Sequence, residues 1–335
     1  MPQQVRHRYQ KTLDFSAGNK VNEDLGRGMI YRELALRLSG TATIAMANNT
    51  AAKVKRGDEW ALVSRIDIIA NGTDVIKSIS GNALWWMNYF MFGRRPRITP
   101  ALVDASANNP AFDSMLILPF WMPRSLRPFD TALDARRLSD LKIEVTWGAV
   151  TDLNGDCSAI SSGKLEVYSL ESFNAPNAAF STWRTNTIER TISASADALQ
   201  ISLPVGPIYR GFLINTTDAS ADANDILNNF KLKSGTTVFA DLPANVLRDW
   251  YGMRNGVEEK IYDRVAETSM NLRVGNNNDV GGWYMYDHVT DGRLSEGIDT
   301  LGFAEFEIEL DVTVGAGTTK VYVIPQTIIP VRAAA

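Results

Sequence analysis

Histidine and cysteine, the residue types that most often bind metal ions or pair as base and nucleophile, are scarce in this chain. The 335 residues include two histidines, His7 and His288, and one cysteine, Cys157. His7 lies in a polar N-terminal segment, and His288 alternates with Tyr284 and Tyr286 as on a β-strand. One cysteine allows no intramolecular disulfide, and a metal site would need carboxylates. We expect no catalytic residues, no metal site, no cofactor and no small-molecule substrate.

Two short segments resemble ligand-binding loops without completing either motif. Asp152–Asp156 begins like a calcium loop, but its glycine is misplaced, and position twelve of the frame is Gly163 where a bidentate glutamate is required. Gly315–Lys320 resembles a phosphate loop, but it lacks the Gly-Lys-Ser/Thr ending and joins two predicted strands. The sequence therefore predicts an ordinary turn in both places.

Asp134 and Asp299 occupy the same place in two similar halves of the chain. A catalytic pair drawn from equivalent positions would lie in different domains, far from each other. We therefore predict that each aspartate caps a turn through its carboxylate.

Two groups of cations are candidates for contact with phosphates of a genome or of lipid headgroups. They are Arg6, Arg8 and Lys11 near the N-terminus, and Arg94, Arg95 and Arg97 after a predicted helix. The net charge of −4 gives the whole chain no attraction to nucleic acid, so any such contact would be local. The alternative is a set of solvated loop charges and ion pairs between subunits.

Aromatic residues are dense on two predicted helices. They are Trp85, Trp86, Tyr89 and Phe90 on the first, and Trp250 and Tyr251 on the second. Aromatic residues that extend past a single helix face indicate burial on two sides, by the core and by a neighbouring subunit. Packing within the core alone is the alternative.

The elements that carry these residues are predominantly strands. Apolar and polar residues alternate through 140–147 and 305–314, so each segment is predicted to bury one face of a strand. Apolar residues three and four positions apart predict helices over Ser80–Phe92 and Pro243–Met253. Many short strands separated by turns favour β-sandwiches over βαβ units.

Three blocks recur in the same order in both halves of the chain. Gly28–Arg32 returns 178 residues later, Gly72–Ile76 returns 163 residues later, and Leu133-Asp134 with the following strand returns 165 residues later. Recurrence of order and spacing indicates a duplicated structural unit. A length of 335 residues also suits two domains better than one core.

The sequence therefore predicts an all-β fold of two tandem jelly-roll β-sandwiches, each with one short inserted helix. We predict an N-terminal arm over 1–8, a first jelly roll over 9–174 and a second over 175–335. No apolar segment is long enough for a secretory signal or a membrane-spanning helix, so a soluble protein made in a reducing cytoplasm is expected.

The segments Ile30–Leu34 with Leu38-Ser39-Gly40, and Leu133-Asp134 with Leu138–Gly148, carry a resemblance to a known family. They resemble the double jelly-roll major capsid proteins of tailless icosahedral bacteriophages, such as tectiviruses and corticoviruses. The resemblance covers nearly the whole chain and rests on strands and turns.

That resemblance implies a viral structural protein whose homotrimers form pseudo-hexagonal capsomers of an icosahedral shell. It implies a location in the virion after synthesis in the host cytoplasm. Its implied partners are further copies, minor capsid and vertex proteins, and an internal membrane or the genome. Two alternatives stay open: a two-domain carbohydrate- or receptor-binding protein, and an enzyme on paired jelly rolls similar to the glycoamidases that remove N-linked glycans.

Overall fold

A computed structural model describes most of the chain. The described residues are 4–44, 58–94, 96–97, 99, 109–123, 130–173, 181–217, 226–255, 282–289, 292–314 and 317–330. They form two compact units, of which the first takes residues up to 91 with 95–184, and the second takes 92–94 with 185–330. No helix among the described residues is both long enough and apolar enough to cross a membrane.

The first unit is a sandwich of two antiparallel sheets. Its strands are β1 (Gln4–Asp14), β2 (Lys20–Asp24), β3 (Ile30–Thr43), β4 (Val63–Ala70), β5 (Asp74–Ile79), β6 (Ala111–Pro119), β7 (Leu133–Asp134), β8 (Leu141–Trp147), β9 (Ala159–Phe173) and β10 (Ser181–Thr185). One sheet has the order β1-β9-β3-β6, with β7 also paired to β3, and the other has the order β10-β5-β4-β8-β2. Alternating residues such as Leu34, Leu36 and Leu38 fill the core between them.

The second unit repeats this arrangement. Its strands are β11 (Ile188–Ile192), β12 (Ala196–Ser202), β13 (Ile208–Thr217), β14 (Leu227–Ser234), β15 (Thr237–Pro243), β16 (Trp283–Asp287), β17 (Ile298–Asp299), β18 (Glu307–Val312) and β19 (Thr319–Pro330). One sheet contains β16-β13-β19 with β11 and β17, and the other has the order β12-β18-β14-β15. Phe212, Phe230 and Phe306 are among the buried residues of its core.

The repeat found in the sequence is a structural repeat, because equivalent residues pair in the same register. Ile30 and Tyr31 pair with Asp134 and Leu133. In the second unit, the strand that begins at Ile208 pairs in the same way with Asp299 and Ile298. Equivalent strands therefore meet at equivalent residues, as duplication predicts.

Each unit also contains the same buried tyrosine link. The hydroxyl of Tyr31 donates to the carbonyl oxygen of Gly26 at 2.5 Å, and that of Tyr209 donates to the carbonyl oxygen of Pro204 at 2.6 Å. Both tyrosines are fully buried, and burial raises the pKa of each phenol. The hydroxyls therefore remain protonated donors that fix the chain entering β3 and β13.

One helix follows an equivalent hairpin in each unit. The hairpins turn at Gly72, with φ 81°, and at Gly235, with φ 55°, values that favour glycine. Helix α1 spans Gly81–Phe92, and Ser80 Oγ accepts a bond from the Ala83 amide at 3.2 Å. Helix α2 spans Ala244–Asn255, directly after β15. The predicted all-β class, two tandem jelly rolls with one short helix each, is confirmed.

The segment predicted as an N-terminal arm contains the start of a strand. Residues 4–8 belong to β1 and pair antiparallel with β9, since Gln4 faces Phe173 and Arg8 faces Ser169. Backbone hydrogen bonding to a neighbouring strand outweighs the polar character of the segment. The predicted boundary at 174/175 lies outside the described residues, and the two units divide at 184/185.

Candidate interaction surfaces

The described residues contain no group of three or more histidine, cysteine or acidic side chains that could hold a metal ion. His288 Nδ1 lies 2.8 Å from the Tyr286 hydroxyl, and burial lowers the pKa of the imidazole although Asp287 and Glu296 oppose that shift. His7 is exposed on β1. Cys157 is buried, which raises the pKa of its thiol. The Sγ atom of Cys157 donates a hydrogen bond to the carbonyl oxygen of Ala159 at 3.4 Å.

The two equivalent aspartates are caps, as predicted. Asp134 Oδ1 accepts from the Arg136 amide at 3.2 Å, and Asp299 Oδ1 accepts from the Leu301 amide at 2.9 Å. Burial alone would raise the pKa of Asp134, but the hydrogen bonds and charge of Arg136 outweigh it and hold that pKa below its usual value. Each carboxylate therefore holds a turn in its own unit.

The first loop that resembles a ligand site is a turn. Asp152 Oδ2 accepts from the Ala149 amide at 2.8 Å, and Asn154 Oδ1 accepts from the Asp156 amide at 2.9 Å. Two of the side-chain oxygens that a calcium ion would use thus accept hydrogen bonds from the backbone of the loop. In Gly315–Lys320, residues 315 and 316 lie outside the described residues, and the segment joins β18 to β19.

The predicted N-terminal cations lie on β1, where two of them form ion pairs within the unit. Arg6 Nε lies 2.8 Å from the fully buried Glu171, and Lys11 Nζ lies 3.0 Å from Glu23. Arg8 is exposed on the same strand.

The cations after α1 are only partly described. Arg94 and Arg97 are exposed. A hydrogen bond from Arg37 lowers the pKa of Asp113, and the charges of Arg37 and then Arg97 lower it further against the opposing effect of burial. Arg95 lies outside the described residues. Contact of any of these cations with a genome or a membrane stays a prediction.

The four aromatic residues predicted on α1 are core residues. Trp85, Trp86, Tyr89 and Phe90 are all buried in the isolated chain, with at most 6% of their surface exposed. Their rings contact one another, for example Trp85 and Trp86 at 4.8 Å between centroids. The chain itself already removes these rings from solvent, as packing within the core predicts. Their contact with a neighbouring subunit stays a prediction.

Helix α2 has one buried face and one exposed apolar face. Tyr251 is buried against Tyr286, with ring centroids 5.5 Å apart, and burial raises its pKa to about 12. Trp250 is 59% exposed, Met253 is 85% exposed and Val246 is 38% exposed. Spacings of four and three residues place the exposed side chains on one face. We call Val246, Trp250 and Met253 the α2 apolar face.

Two buried charged contacts were not predicted from the sequence. Arg210 and Asp287 form an ion pair at 3.0 Å with both side chains almost fully buried. Lys77 is fully buried, and its Nζ lies 3.8 Å from the ring centroid of Trp183. Arg210 falls in a repeated block and was detectable as the equivalent of Arg32. Nothing in the sequence identifies its partner, because strand pairing brings Asp287 to it.

No family model matches this chain, and no curated protein is similar to it in sequence. Solved structures are similar in fold over almost the whole length. A chain in the atomic structure of Sulfolobus turreted icosahedral virus is 14% identical with a TM-score of 0.72, covering 98% of this chain and 91% of that one.

Two further structures match at similar coverage. The major capsid protein of bacteriophage PM2 is 11% identical with a TM-score of 0.62, covering 99% of this chain and 100% of that one. A chain of the PBCV-1 virus capsid is 11% identical with a TM-score of 0.60, covering 99% and 97%. At these identities the likeness shows the fold, and that fold is the tandem pair of jelly rolls that this chain adopts.

Proposed function

We propose that this chain is a viral major capsid protein whose copies assemble into the icosahedral shell of a virion. The observation that carries the proposal is the full-length match to capsid proteins. The matches cover 98–99% of this chain and 91–100% of the matched chains, so they extend over both jelly rolls. A shared single sandwich would say little about function, because such folds host many activities. A match over the whole tandem pair of sandwiches limits the possible functions more strongly than a match to one sandwich.

The surfaces support a structural role over a catalytic one. The residue types that could do chemistry serve as turn caps, core contacts or ion pairs among the described residues. The α2 apolar face leaves a tryptophan and a methionine in water, and such clusters favour a protein partner. We therefore propose self-association and no enzymatic activity.

The assembly unit that we propose is a homotrimer with a pseudo-hexagonal outline. Two equivalent jelly rolls in each chain give a trimer six similar lateral surfaces, which tile like hexagons. We further propose that trimers contact minor capsid and vertex proteins. The exposed cations on β1 and after α1 would face an internal membrane or the genome. Synthesis in the host cytoplasm is part of the same proposal.

The test is the assembly state of the purified full chain, measured by size-exclusion chromatography with light scattering and by negative-stain imaging. A particle of three chain masses with a hexagonal outline, or a closed shell, is expected. A monomer that persists at all protein concentrations, salt concentrations and pH values would overturn the proposal. Glycan-binding and glycoamidase assays on that monomer would then separate the binding and enzyme alternatives.

A further inference from the structure

Strand β5 of the first unit has strands on both sides. It pairs with β4 on one side and with β10 on the other. Two side-chain contacts support the second pairing. Arg184 donates from both terminal nitrogens to the Asp74 carboxylate, at 2.5 and 2.8 Å, and Lys77 lies under the ring of Trp183. The edge of this sheet is thus covered.

The internal repeat identifies the equivalents of these two strands. The offset of 163 that relates the hairpins at Gly72 and Gly235 maps β5 onto β15. The offset of 178 that relates Gly28 to Gly206 maps Gln4–His7 onto residues 182–185 of β10. The same offset maps residues 10–14 of β1 onto 188–192, which are β11, and β11 pairs with β19 as β1 pairs with β9.

The equivalents of the paired strands are both at sheet edges. Among the described strands, β1 ends one sheet of the first unit and β15 ends one sheet of the second. The strand at the other end of the β1 sheet is β6, and a side chain covers part of its edge. The amide and carbonyl groups of Ile117 on β6 both bond to the side chain of the buried Asn88 on α1. An open edge presents unpaired amide and carbonyl groups, which favour pairing with another chain.

Side chains on β1 and β15 are more exposed than a covered sheet edge would leave them, as is expected where no strand pairs with the edge. Trp183 on β10 is 1% exposed, whereas its equivalent Val5 is 45% exposed. On β15, Val238 is 48% exposed and Asp241 is also exposed. The β1 segment carries Arg6, which pairs with Glu171, and the exposed Arg8, whereas β15 carries the exposed Asp241. Arg8 and Asp241 therefore give the two edges charges of opposite sign.

We propose that residues 4–7 of β1 in one copy add as a strand to the β15 edge of a second copy. The contact reproduces between chains the pairing of β10 with β5 that occurs within one chain. Main-chain hydrogen bonds supply affinity, and side chains such as Val5 and Val238 supply specificity. Because one copy offers both edges, the contact is heterologous and can continue around a closed ring. The proposal rests on the self-assembly proposed above.

The first test blocks the edge. Val238→Lys places a charged side chain on β15, as natural edge strands do to prevent pairing. We expect the dissociation constant for self-association, measured by sedimentation velocity over a dilution series, to rise about tenfold or more. Leu301→Lys is the matched control, because Leu301 is 63% exposed in the same unit but lies outside the strands.

The second test strengthens the contact and does not depend on damage to the fold. Thr237 is the equivalent of Asp74, so Thr237→Asp would place a carboxylate beside Arg6 of the first copy, as Asp74 lies beside Arg184 within the chain. Arg6 already pairs with Glu171, but its side chain is 38% exposed and can accept a second carboxylate. We expect association about three times tighter, as for an exposed ion pair. Thr191→Asp, the same change at an exposed position of β11, should leave association unchanged.

The outcomes separate this proposal from the proposed function. If the wild-type chain assembles and Val238→Lys weakens assembly no more than Leu301→Lys, the edge pairing is overturned and the capsid role stands. The same conclusion follows if Thr237→Asp and Thr191→Asp have equal effects. If the wild-type chain stays monomeric under all conditions, both the capsid role and the edge pairing are overturned.

Discussion

Helices α1 and α2 occupy equivalent places in the two units but have opposite surroundings. The first is buried along almost its whole length, and its aromatic rings pack on one another. The second buries Leu247 and Tyr251 and leaves Trp250 and Met253 exposed. Duplication therefore preserves the position of an element and its hairpin, while the residues on its outer face are free to serve the core or a partner.

The largest expected effect is on the buried helix. Trp85→Ala should lower the free energy of unfolding by about 3–5 kcal/mol, because it removes a large, fully buried ring and leaves a cavity. Urea unfolding followed by circular dichroism measures this change. A loss below about 1 kcal/mol would mean that α1 is not the core element that its burial indicates.

The equivalent arginines Arg32 and Arg210 give the next comparison. Arg32 Nε donates to the Ser172 hydroxyl at 2.7 Å, whereas Arg210 forms an ion pair with Asp287. Asp287→Ala should cost about 3 kcal/mol, because it leaves a cation buried without this carboxylate. Ser172→Ala should cost about 1 kcal/mol, as for one hydrogen bond. Equal losses of unfolding free energy in the two variants would contradict the greater burial of the Arg210–Asp287 ion pair relative to the Arg32–Ser172 hydrogen bond.

The tyrosine links should respond alike in the two units. Tyr31→Phe and Tyr209→Phe each remove one hydroxyl that donates to a main-chain carbonyl oxygen. We expect each variant to lose about 1 kcal/mol of unfolding free energy. The two losses should agree within experimental error, since burial and geometry match. A large inequality would show that only one of the links bears on stability.

The smallest expected effect is on the α2 apolar face. Trp250→Ala should change the free energy of unfolding of the dissociated chain by less than about 0.5 kcal/mol, because most of the ring is already in water. The same unfolding experiment at a concentration where copies associate tests the surface role. A cost that grows with protein concentration would place Trp250 in a contact between copies, and a constant cost would exclude it from one.

Several features of the fold were predictable because they depend on local patterns. Alternation with a period of two predicted strands such as β8 and β18, and apolar spacing of three and four predicted both helices. Gly72 and Gly235 mark turns that need a positive φ, which few other residues adopt. Recurrence of these signals in order was sufficient to predict two similar sandwiches and the caps made by their equivalent aspartates.

Other features depended on which neighbour each element meets. The sequence shows Trp85 and Trp250 as aromatic residues on similar helices, and only packing separates the buried one from the exposed one. Residues 4–8 are polar, as is typical of a terminal arm, yet strand pairing with β9 incorporates them into a sheet. Alternation predicts that a segment is a strand, because side-chain direction is a local property. Tertiary structure decides whether its edge is covered, because the second strand comes from a distant part of the chain.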